Sequence, residues 1–411
     1  MTERSYWLGF SNFSAIGPGK FAKLLAEFGT AESAWKADVD LLTPIVGKTF
    51  IPRFEEFRQR FSIADYENLL KEKKVGYLTL IDKDYPDLLK QIKKPPFVLY
   101  YKGNFVIASE AEALPAGRQE SLGIAASPDV HRDPRNDTST SYNSASSGLA
   151  GQAKTIAIVG TRRITDYGRR VTEDLTADLV NNGFVIVSGL ALGVDASAHK
   201  TTIENKGKTI AVLGCGVDCC YPRENEAIYN SILESGGAIV SEYPLSQEPS
   251  KGSFPSRNRI IAGLSQAVIV TEGAADSGAL YTADEAFALN RPVFAVPGPI
   301  TSSLSKGPHG LISKGGKLIS GAEDVLRELR SKNYELGNDS RSNPLSPRSL
   351  LPKGDTKEEQ KVINVLQNES VHFDEIVKRT KIESSKLGGI LSIMEMKGSV
   401  RSEEAGFFCL N

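Results

Sequence analysis

TIAIVGTRRITDYGRRVTEDLTADLVNNGFVIVSG, residues 155–189, reads as one strand–helix–strand unit. TIAIVG (155–160) and FVIVSG (184–189) are short, rich in β-branched residues and apolar on both faces. Such strands belong in a parallel sheet covered by helices on each side. Between them YGRRVTEDLTADLVNNG (167–183) reads as a helix that stops at Gly183, a residue suited to the left-handed turn after a helix. The pattern repeats. TIAVLG (209–214), AIVSE (238–242), AVIVTE (267–272) and PVFAVPG (292–298) are further strands, with helical stretches filling the gaps. Right-handed crossovers turn this repeat into a doubly wound, mostly parallel α/β sheet over 155–330.

The flanks read differently. Residues 1–104 are mostly helical and lead through KKPPFVLYY into a strand. Within them GPGKFAKLLAEFG (17–29) has the form of a helix-hairpin-helix turn, whose amides can touch a phosphate, or of a plain turn between packed helices. Residues 105–154 are rich in Ala, Ser, Asp, Asn and Gly, and are expected to be a disordered low-complexity insertion. Residues 331–355 read as a Ser-, Asn- and Pro-rich linker. Residues 356–411 read as three helices and a hairpin, a winged-helix pattern, with Leu387, Ile390, Leu391 and Met394 on one face of the third helix.

Bulk composition narrows the function. Net charge is −1, so no global basic field draws in nucleic acid, and any anion site must be local. Four cysteines, Cys215, Cys219, Cys220 and Cys409, form no metal-ligand spacing and read as reduced thiols of a cytoplasmic protein. The start MTERSYWLGF lacks a signal-peptide core, and no run reaches the length of a membrane span.

Ligands of open parallel sheets bind beyond the carboxyl ends of the strands. There the first turn is GTRRIT, not G-x-G-x-x-G, and no G-x-x-x-x-G-K-[ST] occurs anywhere, which argues against NAD, FAD and ATP hydrolysis; no cofactor or metal is expected. Asp195 and His199 share one helix, but a helix N-cap aspartate and a packed histidine account for them better than acid–base chemistry does. Glu242 and Glu272 are expected to end adjacent strands and could pair as carboxylates, or could hold Arg257 or Arg259. Ser188 and Ser277 lack an evident base, so no triad assembles. What remains is phosphate chemistry. Arg162, Lys251, Arg257, Asn258 and Arg259 gather at this edge with Phe254 among them, and Arg257–Asn258–Arg259 reads as a loop-to-helix junction. Cations with an interleaved aromatic suit an unpaired strand: the cations neutralise phosphates and the ring stacks on a base. Alternatively Phe254 fills the core and the arginines pair with Glu242, Glu272 or Asp276.

The runs AIVGTRR, VIVSGLALGVDASAH, TIAVLGCGVD, YPREN, FPSRNRIIAGLS, SGALYTA and VFAVPG, in this order, resemble the DprA (Smf) family of bacterial DNA-processing proteins. The resemblance implies an extended Rossmann-like fold with a helical N-terminal domain and a winged-helix-like C-terminal one. It also implies a homodimer that binds single-stranded DNA and loads RecA onto it, as in natural transformation. Carried over by motif, Arg162, Ser188, Gly189, Lys251, Phe254, Arg257, Asn258 and Arg259 would line the DNA pocket. The sequence departs from the family in the insertion and in GPHGLI, where His309 replaces an asparagine. The C-terminal segment from Thr356 holds eight Lys plus Arg against nine Asp plus Glu, which favours a protein contact over duplex reading. The rival reading is an enzyme resembling nucleotide phosphoribohydrolases of the lysine-decarboxylase-like group. It lacks that group's glycine pair, and Glu285 is the one glutamate near the required helix position.

Overall fold

In the computed structural model, the described residues are 1–105, 154–250, 252–337, 357–366, 371–396, 400–402 and 406–410. The stretch read as an insertion, apart from its two end residues, lies outside them, as do 338–355 of the stretch read as a linker. The chain forms two compact units, Met1–Tyr334 and Glu335–Asn411.

The first unit opens with α1 (Glu3–Ser11), α2 (Pro18–Phe28), α3 (Ala31–Lys36), α4 (Val39–Val46), α5 (Ile51–Arg60) and α6 (Ile63–Glu72). Their shared core is aromatic: Phe10 stacks on Phe54 at 5.7 Å and meets the Trp35 ring edge-on at 5.0 Å. Then come β1 (Val75–Thr79), α7 (Asp87–Lys90) and β2 (Val98–Gly103). The alternating region follows as β3 (Thr155–Val159), α8 (Asp166–Asn181), β4 (Val185–Ser188), α9 (Val194–Glu204), β5 (Thr209–Val212), α10 (Glu226–Glu234) and β6 (Ala238–Ser241). It closes with α11 (Ser253–Gly263), β7 (Val268–Val270), α12 (Ala279–Ala288), β8 (Val293–Ala295), α13 (Lys306–Ser313), β9 (Lys317–Leu318) and α14 (Ala322–Gly337).

All nine strands form one sheet in the order β1-β2-β6-β5-β4-β3-β7-β8-β9. From β6 to β9 every pairing is parallel, and β2 adds antiparallel to the β6 edge with Tyr100 opposite Ser241. The expected doubly wound sheet is thus present, and the lead-in from the N-terminal helices extends it by two strands. Side chains alternate across it. Ile156 and Ile158 face Leu175 and Leu179 of α8, while Ala157 and Val159 face Ile260 of α11 and Ala283 of α12. Each such Ile or Val, fully buried, contributes roughly 1.5–3 kcal/mol, which explains why these strands read as unbroken apolar runs.

Two polar devices set the helices on the sheet. Glu272, after β7, is buried and accepts from Thr165 N–H at 3.0 Å and from the Thr165 hydroxyl at 2.6 Å; Thr165 Oγ1 in turn accepts from Gly168 N–H at 3.0 Å. This chain of bonds caps α8. Arg291 is buried and donates to the carbonyls of Ala262, Gly263 and Ser265 at 2.5–2.8 Å and to Leu88 O at 2.6 Å. It closes the C-terminus of α11, where the helix dipole favours a cation, and ties α7 to it.

The second unit holds α15 (Lys357–Leu366), β10 (Val371–His372), α16 (Phe373–Thr380), α17 (Ser384–Met396), β11 (Val400–Ser402) and β12 (Phe407–Leu410). The antiparallel order β10-β12-β11 completes the winged-helix pattern. Leu387, Leu391 and Met394 are buried in its core with Ile390 packed against it, as the spacing predicts.

Candidate nucleic-acid interface

The chain reverses direction across the sheet between β3 and β7, which are neighbours although far apart in sequence. Loops after β3, β5, β6 and β7 meet above this point and enclose an open trough of about 830 Å³. A second hollow of about 660 Å³ adjoins it and shares Arg162, Tyr221, Phe254 and Arg257 with the first. This is the switch-point crevice expected for the topology.

Arg162 stands exposed after β3, its guanidinium 5.6 Å from the centre of the Phe254 ring. Phe254 is half-buried and meets Tyr221 at 5.5 Å between ring centres. Arg162, Phe254 and Tyr221 therefore make a wall with one free cation and two π faces. Arg163 lines the same trough and is exposed. Asn258 lines the trough and donates one side-chain N–H to Gly278 O at 3.0 Å, which ties α11 to the start of α12.

The Arg257–Asn258–Arg259 run is not a loop-to-helix junction. The helix begins at Ser253, so these residues lie inside α11 and the three side chains diverge. Arg257 points under the trough, 5 % exposed, and donates to Val212 O at 2.6 Å and to Gly189 O. It fastens the ends of β4 and β5 beneath the floor. Burial lowers the proton affinity of its guanidinium, and buried Asp195 beside it offsets this. Arg259 turns away to Glu242 and Lys94 O, the latter at 2.6 Å, and lines neither hollow. Here the alternative of pairing with an acid holds.

Ser188 is buried and donates to Ile158 O at 2.7 Å. Gly189 N–H is taken by the Asp195 carboxylate at 3.1 Å, so this amide is not free for a ligand. Gly189 is required by close approach: a Cβ there would lie 2.0 Å from Arg257 Nη1. Lys251 lies outside the described residues. Glu242 and Glu272 form no pair: β6 and β7 are not adjacent but separated by β5, β4 and β3, and Arg259 holds one glutamate and Thr165 the other. His199 is buried; Thr209 gives its hydroxyl proton to Ile186 O, so His199 Nδ1–H donates to Thr209 Oγ1 at 2.7 Å. Burial, with Arg257 nearby, pushes the imidazole down to about 3, and it stays neutral. The packed-histidine reading holds for His199; Asp195 is not the helix cap, which is Gly193, but lies in the first turn of α9 and accepts from the loop amides of Gly189 and Ala191.

Tyr221, Tyr281, Arg163 and Asp276 line the trough without having been singled out as site residues. Tyr221 sits in the YPREN run after β5, and its meeting with Phe254 spans 33 residues of sequence, which no local pattern reveals. SGALYTA marks the neighbourhood of Tyr281, although not its exposure. Among the described residues, no group of three or more His, Cys, Asp or Glu is placed to hold a metal, and no helix is long and apolar enough to cross a membrane.

Comparison with known proteins places this architecture. A family model described as DNA recombination-mediator protein A matches residues 146–330, and one described as the DprA winged helix domain matches 346–406. Protein Smf of Synechocystis sp. is 36% identical over 330 residues, which cover 80% of this chain and 73% of that protein. DNA processing protein DprA of Bacillus subtilis is 34% identical over 73% of this chain and 90% of its own length. The X-ray structure of DNA processing protein A from Streptococcus pneumoniae superposes with a TM-score of 0.58 and 31% identity, covering 80% of this chain and 98% of that one. With its sheet order, its switch-point trough and its winged helix all accounted for, this chain belongs to the DprA/Smf family of DNA recombination-mediator proteins.

Proposed function

We propose that the protein is a DNA-processing recombination mediator that binds single-stranded DNA in the switch-point trough and, as a cytoplasmic homodimer, loads RecA onto it, in natural transformation or general recombination. The observation that carries the binding is the exposed Arg162 guanidinium over the Phe254 ring in an open trough. Arg162 and Arg163 hold phosphates, Phe254 and Tyr221 offer faces on which an unstacked base can lie, and Asn258 adds a polar contact. Arg257 positions the floor rather than touching the strand. Phosphate contacts carry no sequence information, and their strength falls with salt as counterions are released.

The protein is read as a binding protein and not an enzyme. The phosphoribohydrolase alternative needs a glutamate in the trough near the start of α12, and Glu285 is not among the residues that line it.

The test is anisotropy titration with a short mixed-sequence oligonucleotide across a salt series. Arg162→Ala is expected to weaken binding about tenfold and to reduce the salt slope by about one. Phe254→Ala is expected to lose the stacking contribution, about 1–3 kcal/mol, with the slope unchanged. Unaltered affinity in both variants would place the strand elsewhere. RecA loading is tested by RecA filament growth on oligonucleotide coated with single-strand-binding protein, with and without this protein.

A further inference from the structure

We propose that the trough accommodates one unstacked guanine and that Asp276 selects it; this rests on single-stranded DNA entering the trough. The starting point is a charge out of place. Asp276, in the loop between β7 and α12, is exposed, lines the trough and takes part in no hydrogen bond or ion pair among the described residues. A carboxylate facing phosphates would repel them. It is compatible with a bound strand only if it faces the donors of a base.

The second observation concerns Asn258. One of its side-chain amide N–H groups is held by Gly278 O at 3.0 Å, and the amide oxygen takes part in no hydrogen bond among the described residues, so it remains available as an acceptor. The rim near α12 therefore carries one carboxylate, Asp276, with the Asn258 oxygen as a further acceptor, whereas the wall after β3 carries the cations Arg162 and Arg163. Guanine matches both. Its N1–H and N2–H₂ are adjacent donors that a carboxylate accepts together. Its O6 and N7 are the acceptors an arginine fork engages best. Thymine presents a single donor between two carbonyls, which the carboxylate repels. Adenine and cytosine each offer an amine beside a bare ring nitrogen, so neither gives Asp276 a second proton. The Phe254 and Tyr221 rings supply the stacking surface for any of the four, so selection falls to the rim.

The test compares wild-type affinity for four oligothymidylates identical except for one central dT, dC, dA or dG. The dG oligomer is expected to bind about tenfold tighter than the all-dT one. Replacing that guanine by hypoxanthine, which lacks the exocyclic amine, should remove most of the gain in the wild-type protein. Asp276→Ala should reduce the preference to within about twofold while all-dT affinity stays the same or rises, because a like charge is removed. Asp276 is a loop residue whose side chain makes no bond, so the variant is expected to melt as the wild type does. If wild type binds all four oligomers equally, and Arg162→Ala weakens all four, the trough binds DNA but the guanine assignment is overturned. If wild type binds none, both readings fall.

Discussion

At the residue scale the decisive finding is that two arginines two positions apart do unlike work. Arg257 holds carbonyls under the trough, and Arg259 holds Glu242 away from it. Removing this buried cation leaves the carbonyls of Gly189 and Val212 without a donor, at about 1–3 kcal/mol for each group left unpaired. Arg257→Met is therefore expected to lower the urea midpoint strongly and to weaken DNA binding only through lost structure, whereas Arg162→Ala should weaken binding at unchanged midpoint. Chemical denaturation beside titration separates them. His199 gives a pH prediction. Its folded value, about 3, lies below the ordinary histidine value, so the unfolded chain binds the extra proton between them. The stability tied to a neutral His199 is complete above the ordinary value and is lost as pH falls toward the folded one, by about 1.4 kcal/mol per pH unit within the window. Between pH 7 and 5 the wild type should lose more stability than His199→Asn, in which an amide can still donate to Thr209. Equal losses in urea melts at the two pH values would contradict this.

At the element scale, helices are held to the sheet by buried polar groups that the apolar pattern does not show. Glu272 fills the place where Gly168 has no side chain: a Cβ there would lie 2.1 Å from Glu272 Oε2. Gly168→Ala is expected to displace Glu272, uncap α8 and destabilise the protein by about 1–3 kcal/mol. Because Glu272 also holds Thr165, three residues after Arg162, DNA affinity should also fall, and thermal melting with titration reads both. The strands themselves were legible in the sequence because a strand buried on both faces must be apolar throughout. The start of α11 was not. Its first turn holds Ser253, Phe254 and Pro255, and a proline near a helix start looks the same as one in a loop until the backbone is traced.

At the scale of the whole molecule, the N-terminal helices and the sheet share one core. Tyr100 of β2 packs in the same cluster as Phe10, Phe21 and Leu213, and Tyr66 of α6 accepts from Leu245 N–H at 2.9 Å. Deleting residues 1–104 strips β2 from β6 and bares a sheet edge together with apolar surface. Residues 154–337 alone are expected to aggregate or to melt well below the full chain, as light scattering and calorimetry would show. A fragment as stable and monodisperse as the full chain would refute this.

The order of strands and helices, the doubly wound sheet and the edge where its loops gather were determined by sequence alone, since burial on two faces and the crossover rule act locally and leave a periodic record. The expectation of an anionic ligand also came from sequence, because cations and a ring recur in the segments that reach one edge. Which cation is free was decided only by tertiary structure. Arg162, Arg257 and Arg259 are alike as residues, and what separates them is whether a carbonyl or a carboxylate from a distant strand lies within hydrogen-bonding reach. That distance is created by the fold and has no trace in the spacing of residues along the chain.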